Sequence, residues 1–145
     1  MKIIGCGTAN RGDDQAGLAV AEQLFDLGFD AEIYEGDPLG IIERWSADDD
    51  VVVVDAVQTG DPPGTLHVWD RALPQCPASA VSSHGFDISK ALELAQALSK
   101  LPARLRIYGI EGRHFGQSAY ISPDVQRGIT LAVRQISNLR ESSRL

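Results

Sequence analysis

The apolar positions of this chain fall into two alternating patterns, short extended runs and longer stretches with helical spacing. Lys2 to Cys6 reads as a short apolar strand that breaks at Gly5 and Gly7. From Asp13 to Leu27 the residues Ala16, Val20, Ala21, Leu24 and Leu27 follow helical spacing, and Gly28 is placed to end that helix. Ala31 to Glu35 predicts a second strand and Ile41 to Trp45 a short helix. Val51-Val52-Val53-Val54 is the strongest strand signal. Consecutive β-branched apolar residues imply burial on both faces, as at the centre of a parallel sheet. After Pro62-Pro63-Gly64 the alternation of Leu66 and Val68 predicts a strand nearer an edge. Asp87 is placed to cap a helix carrying Ile88, Ala91, Leu92, Ala95 and Leu98 on one face and stopped by Pro102. Leu105 to Ile110 predicts a further strand. Ser122-Pro123 supplies a cap and a first-turn proline for a last helix, with Val125, Ile129, Val133 and Ile136 inward.

Strands alternating with helices in this way predict a three-layer α/β/α sandwich around a mostly parallel twisted sheet of about five strands. No repeat or linker divides the 145 residues, so a single domain spanning 1–145 is expected. At 43% hydrophobic and 23% charged the chain matches an ordinary soluble globular protein, which excludes disorder and fibrous repeats. A net charge of −7, with no basic block to outweigh it, disfavours nucleic acid and anionic membrane as partners. The apolar runs are too short to span a bilayer. Only Ile3 and Ile4 separate Lys2 from Gly5, well short of a secretory apolar region. Cys6 and Cys76 form no CxxC pair. A cytoplasmic protein with free thiols is the expectation.

In open α/β sheets, sites form beyond the carboxyl ends of the strands. Beyond the first strand the chain reads Gly5-Cys6-Gly7-Thr8-Ala9-Asn10-Arg11-Gly12-Asp13-Asp14. Beyond the valine run lies Asp55, and beyond the Leu105 strand lies Glu111. The loop Val81-Ser82-Ser83-His84-Gly85 precedes a helix and can open onto the same rim. A cap and the helix dipole explain one carboxylate at Asp13-Asp14, and explain two adjacent ones less well. Asp55, directly after buried valines, is expensive unless paired, capped through its own turn, or bound to a cation. His84 has two competitors in the chain, His67 and His114. Carboxylate, carboxylate and imidazole together suit a first-row divalent metal with open positions. Cys6 reads either as a nucleophile near a histidine or as a small buried residue with no chemical role.

Gly5-x-Gly7 with Glu35 after the second strand also invites a dinucleotide-binding reading. Asn10 stands where that motif needs its third glycine, and Glu35 lies further on than the roughly twenty residues it uses. Asp13 and Asp14 would also repel a pyrophosphate at the helix start. No GxSxG elbow, Walker loop or HExxH is present, which weakens serine-hydrolase, nucleotide-triphosphatase and common metalloprotease readings.

Gly5-Cys6-Gly7, followed by Arg11-Gly12-Asp13-Asp14 and Gly17, resembles the opening of the nickel–iron hydrogenase maturation endopeptidases. The resemblance continues through Gly36 and Gly40, Val54-Asp55-Ala56, Pro63-Gly64-Thr65 and Ser83-His84. It ends with Gly109-Ile110-Glu111 and Ser122-Pro123-Asp124-Val125, so it covers nearly the whole chain in order. It departs at Thr8, where the family usually has Asn, and at Gln15, where a glycine often follows the acidic pair. The resemblance implies an endopeptidase that removes the C-terminal extension of a hydrogenase large-subunit precursor after nickel insertion. It places the metal-contacting and catalytic roles on Asp14, Asp55 and His84, with nickel carried by the substrate and no cofactor of the enzyme's own. Without a cation Asp14 and Asp55 would repel each other, so one of them should carry a raised pKa. Asp13 and Glu111 remain candidates for closing the loop or orienting water. Two other classes stay open, a Rossmann-like nucleotide-binding protein and a non-catalytic nickel-binding partner.

Overall fold

The computed structural model describes residues 1–70 and 88–142. Its strands are β1 (Lys2–Cys6), β2 (Asp30–Tyr34), β3 (Asp50–Val57), β4 (Leu66–Asp70) and β5 (Arg104–Glu111), and its α-helices are α1 (Ala16–Asp26), α2 (Ile88–Ala97) and α3 (Pro123–Ser142). They form a sheet in the order β2-β1-β3-β5-β4. All neighbours are parallel except β4, which runs antiparallel to β5 at the edge.

The valine run behaves as a central strand must. Val51 to Val54 are each 0% exposed, because alternate side chains enter different layers. Val51 and Val53 join Ile4, Leu105 and Ile107 against Ala91, Leu92 and Ala95 of α2 and Ile41 and Ile42 of a 3-10 segment, Pro38–Arg44. Val52 and Val54 join Ile3, Tyr108 and Ile110 against Val20 and Leu24 of α1 and Val125, Ile129 and Ile136 of α3. These two apolar layers on one sheet are the expected three-layer sandwich. Gly28 ends α1 as anticipated: its φ is 89°, and Phe29 N–H donates back to the Leu24 carbonyl at 3.0 Å.

Three of the boundaries that differ from the sequence reading bear on the site. The stretch expected to open α1 is a 3-10 turn, Gly12–Gln15, and regular α-helix begins only at Ala16. The reason is tertiary. Gly12 N–H donates to Ser118 O and Asp13 N–H to His114 O, both at 2.7 Å, so this backbone is bound to the segment after β5. Asp55 and Glu111, expected beyond their strands, lie inside them. β3 and β5 stay in register from Asp50–Arg104 through Asp55–Gly109 to Val57–Glu111, which carries both strands past the valines. The Asp87 cap, Cys76 and His84 lie outside the described residues.

Candidate active site

β1 pairs with β2 on one side and β3 on the other, so the chain reverses direction across the sheet between β1 and β3. This is the switch point at which open α/β sheets form their sites. Gly5 pairs with Val54, which sets Cys6 and Asp55 one step further along the same two strands. The 3-10 turn carrying Asp14 is the next element after β1, reached through the loop of residues 7–11.

Asp14 and Asp55 are both buried, at 0% and 5% exposure. Burial, and then the negative charge of Asp14, pushes the Asp55 carboxyl well above the ordinary carboxylate range. The opposing influence is one hydrogen bond, Ala56 N–H donating to Asp55 Oδ1 at 2.8 Å. Burial, then Asp55, then Asp14 likewise push the Cys6 thiol up. A buried thiol that keeps its proton is a poor nucleophile, so Cys6 serves as a packing residue. Of the three residues taken from the sequence, the structure thus brings Asp14 and Asp55 into one electrostatic cluster at the switch point. His84 falls outside the described residues.

Asp13 has a different task from its neighbour. Its Oδ2 accepts from Arg113 N and His114 N at 2.9 and 3.0 Å, and its Oδ1 accepts from Ser122 N at 3.0 Å and Ser122 Oγ at 2.9 Å. Burial alone would raise this carboxyl, but the donors at His114, Ser122 and Arg113 outweigh it and hold Asp13 below its ordinary value. Asp13 therefore closes the loop, fastening the turn that bears Asp14 to the segment between β5 and α3. Because its folded pKa is depressed, this stabilisation is present above the unfolded pKa and is lost as pH falls through the folded one. Asp13→Ala is expected to lower stability by about 2 kcal/mol at neutral pH, since it leaves four part-buried donors without their acceptor. Urea denaturation reads this directly, with the difference from wild type shrinking toward acid.

The rest of the opening loop is held by the chain itself. Glu35 Oε1 accepts from Ala9 N at 3.0 Å. Gln15 donates to Gly12 O at 3.0 Å and accepts from Asn10 N at 3.2 Å, so the departure from glycine here adds a brace. A Cβ on Gly7 would lie 2.2 Å from the Asp14 carbonyl oxygen. The close approach that glycine permits is used by the protein's own turn, where a nucleotide reading would put pyrophosphate.

Residues 24–139 match the family described as HycI, hydrogenase maturation protease. The chain belongs to the hydrogenase maturation protease family. It is 30% identical over 141 residues to the hydrogenase expression/formation protein HupD of Thiocapsa roseopersicina, covering 90% of this chain. The chain spans only 63% of that relative's length. Among solved structures it is similar to the [NiFe] hydrogenase maturation protease HybD of Thermococcus kodakarensis, with a TM-score of 0.78 at 23% identity over 96% of this chain and 99% of that one. It is equally similar to the hydrogenase maturating endopeptidase HybD of E. coli, with a TM-score of 0.78 at 22% identity over 98% of this chain and 94% of that one. These likenesses bear out the α/β fold read from the sequence.

In this member of the hydrogenase maturation protease family, Glu111 is engaged by the loop that follows β3. Its carboxylate accepts from Thr59 N at 2.9 Å and Thr59 Oγ at 2.5 Å, and faces His67 Nε2 at 3.2 Å. Asp61 approaches the same nitrogen at 3.5 Å. Sequence reasoning passed over Asp61 and named His67 only as a competitor of His84. The usable signal was their position on either side of Pro62-Pro63-Gly64, with His67 alternating between Leu66 and Val68 on an edge strand. No described helix is long and apolar enough to cross a membrane.

Proposed function

We propose that this chain is the endopeptidase that removes the C-terminal extension of a nickel–iron hydrogenase large-subunit precursor after nickel insertion, reading the substrate's nickel as the signal to cut. The observation that carries this reading is the pair of buried carboxylates at the switch point, with Asp14 raising the pKa of Asp55. Two buried acids held close to each other in this way are relieved by a divalent cation. Family membership supplies the reaction class.

Asp14, Asp55 and His84 complete the coordination of nickel that the precursor presents. Asp55 gives up its proton to solvent as the cation arrives, and the two carboxylates together then balance the cation's charge. The bound ion fixes the scissile bond near the rim and polarises its carbonyl or a water, and a neighbouring carboxylate takes the water's proton. Unmetallated precursor brings no charge to offset the two acids and is refused. The enzyme needs no metal of its own for this step, and the free Cys6 thiol and acidic surface suit a cytoplasmic setting.

The test is to incubate the protein with a large-subunit precursor, nickel-loaded or nickel-free, and to follow loss of the C-terminal extension by mass spectrometry. Shortening of the nickel-loaded form alone is the expected outcome. Equal shortening of both forms would overturn nickel as the signal. No shortening of any nickel-loaded precursor would overturn the protease reading.

A further inference from the structure

The group formed by Asp61, His67 and Glu111 has the makings of a second, separate site. One ligand atom from each of the three residues lies within 4.8 Å of the others. His67 Nε2 stands 3.2 Å from Glu111 Oε1 and 3.5 Å from Asp61 Oδ2. Nitrogen and oxygen ligands on a tetrahedral first-row ion, with bonds of about 2.0–2.2 Å, are themselves separated by about 3.3–3.5 Å. The two nitrogen–oxygen spacings at His67 are therefore close to those of ligands around an ion.

The supports behind these atoms point the same way. Glu111 has a side chain only 3% exposed, and it is oriented by both the amide and the hydroxyl of Thr59. The His67 ring stacks on Trp69 with centroids 5.4 Å apart and planes 4° from parallel, which fixes where its nitrogen points. Held carboxylates and oriented imidazoles are the outer-shell features that tune metal sites. The Asp61 side chain is 54% exposed and leaves the group open to solvent, giving an ion a way in. Two carboxylates and a neutral imidazole also balance a divalent charge, and the imidazole favours a first-row transition ion over magnesium or calcium.

This place is distinct from the Asp14–Asp55 pair. His67 pairs with Gly109 across from β4, and Gly109 pairs with Asp55 across to β3. Two strand spacings separate their backbones, about 10 Å. We propose that Asp61, His67 and Glu111 bind a divalent first-row transition ion of the zinc class, tying the 58–65 loop to β4 and β5. The alternative is an ion-free group in which His67 lies between the two acids through direct polar contacts alone.

The two are separated by titrating Zn²⁺ into the chelator-stripped, dialysed full-length protein by calorimetry, and by recording visible absorption with Co²⁺. Neither readout depends on precursor cleavage, so failure of the protease reading leaves this test intact. Zn²⁺ binding is expected to raise the thermal midpoint by roughly 5–10 °C at a hundredfold excess over Kd. His67→Ala and Glu111→Gln should abolish this binding and the cobalt bands. Thr59→Val, which removes only the supporting hydroxyl, should weaken binding by about 10–100-fold. Asp61→Asn alters an exposed side chain, so its weakened binding keeps the test decisive if His67→Ala fails to fold. Asp55→Asn should retain the His67-dependent binding. No uptake of either ion by the wild-type protein overturns the proposal. So does uptake that survives His67→Ala and Glu111→Gln, or that is lost only in Asp55→Asn.

Discussion

Asp55→Asn is expected to reduce precursor processing by about a hundredfold or more while making the free protein more stable at neutral pH. Opposite signs for activity and stability are what a functional carboxylate in an unfavourable place should give. Asp55 is 5% exposed, and burial together with Asp14 raises its pKa in the folded state. Over the window from the ordinary carboxylate pKa up to that raised value, the native state holds a proton that the unfolded chain has released. Stability therefore falls as pH rises through this window and levels off above it. Asparagine keeps an acceptor for Ala56 N–H and has no charge to desolvate, so the variant escapes the fall. Thermal unfolding of both proteins from acid to neutral pH should show the curves close together in acid and the variant ahead at neutral pH. A variant that is less stable at neutral pH would contradict the electrostatic account of Asp55. Undiminished processing would contradict its role.

The second large effect concerns a residue with no chemistry at all. Gly17→Ala is expected to destabilise the fold by about 3 kcal/mol or more. A Cβ at this position would lie 2.2 Å from the Cys6 carbonyl oxygen and 2.4 Å from that of Val54. Both are main-chain atoms of the central strands, so neither can give way as a flexible side chain would. The helix must lift instead, which opens the contact of Ala16, Val20 and Leu24 with the sheet. Lifting α1 also drags the turn that carries Asp14, so processing should fall even in protein that remains folded. Gly116→Ala is the control, because a Cβ there meets nothing within 4 Å, and its effect should stay within about 0.5 kcal/mol. Urea denaturation of the two variants reads the contrast. A Gly17→Ala protein within about 1 kcal/mol of wild type would mean that the helix–sheet approach is looser than the structure has it.

The layers of the fold were legible because periodicity reports burial. Val51 to Val54 announced a central strand, and helical spacing from Ala16 to Leu24 announced its covering helix. The ends of the elements were less legible, since long-range bonds set them. Nothing local in Val54-Asp55-Ala56 tells a strand to continue. The register with β5 does, by pairing Asp55 with Gly109 and Val57 with Glu111. Asp13 and Asp14 look alike in sequence, yet one is tied to Arg113, His114 and Ser122 while the other acts on Asp55. Only the returning chain after β5 separates them. Asp61 was passed over, and His67 named only as a competitor of His84, for the same reason, because the residue that unites them, Glu111, arrives from a strand far along the chain.

The most direct test of the central claim is processing of a nickel-loaded hydrogenase large-subunit precursor by Asp14→Asn, Asp55→Asn and His84→Ala beside the wild type. Mass spectrometry follows the C-terminal extension, and circular dichroism verifies that each variant is folded. The account predicts that the wild type shortens the precursor and that all three folded variants fail. Shortening by the wild type that proceeds unchanged in the folded variants would contradict the assignment of these residues.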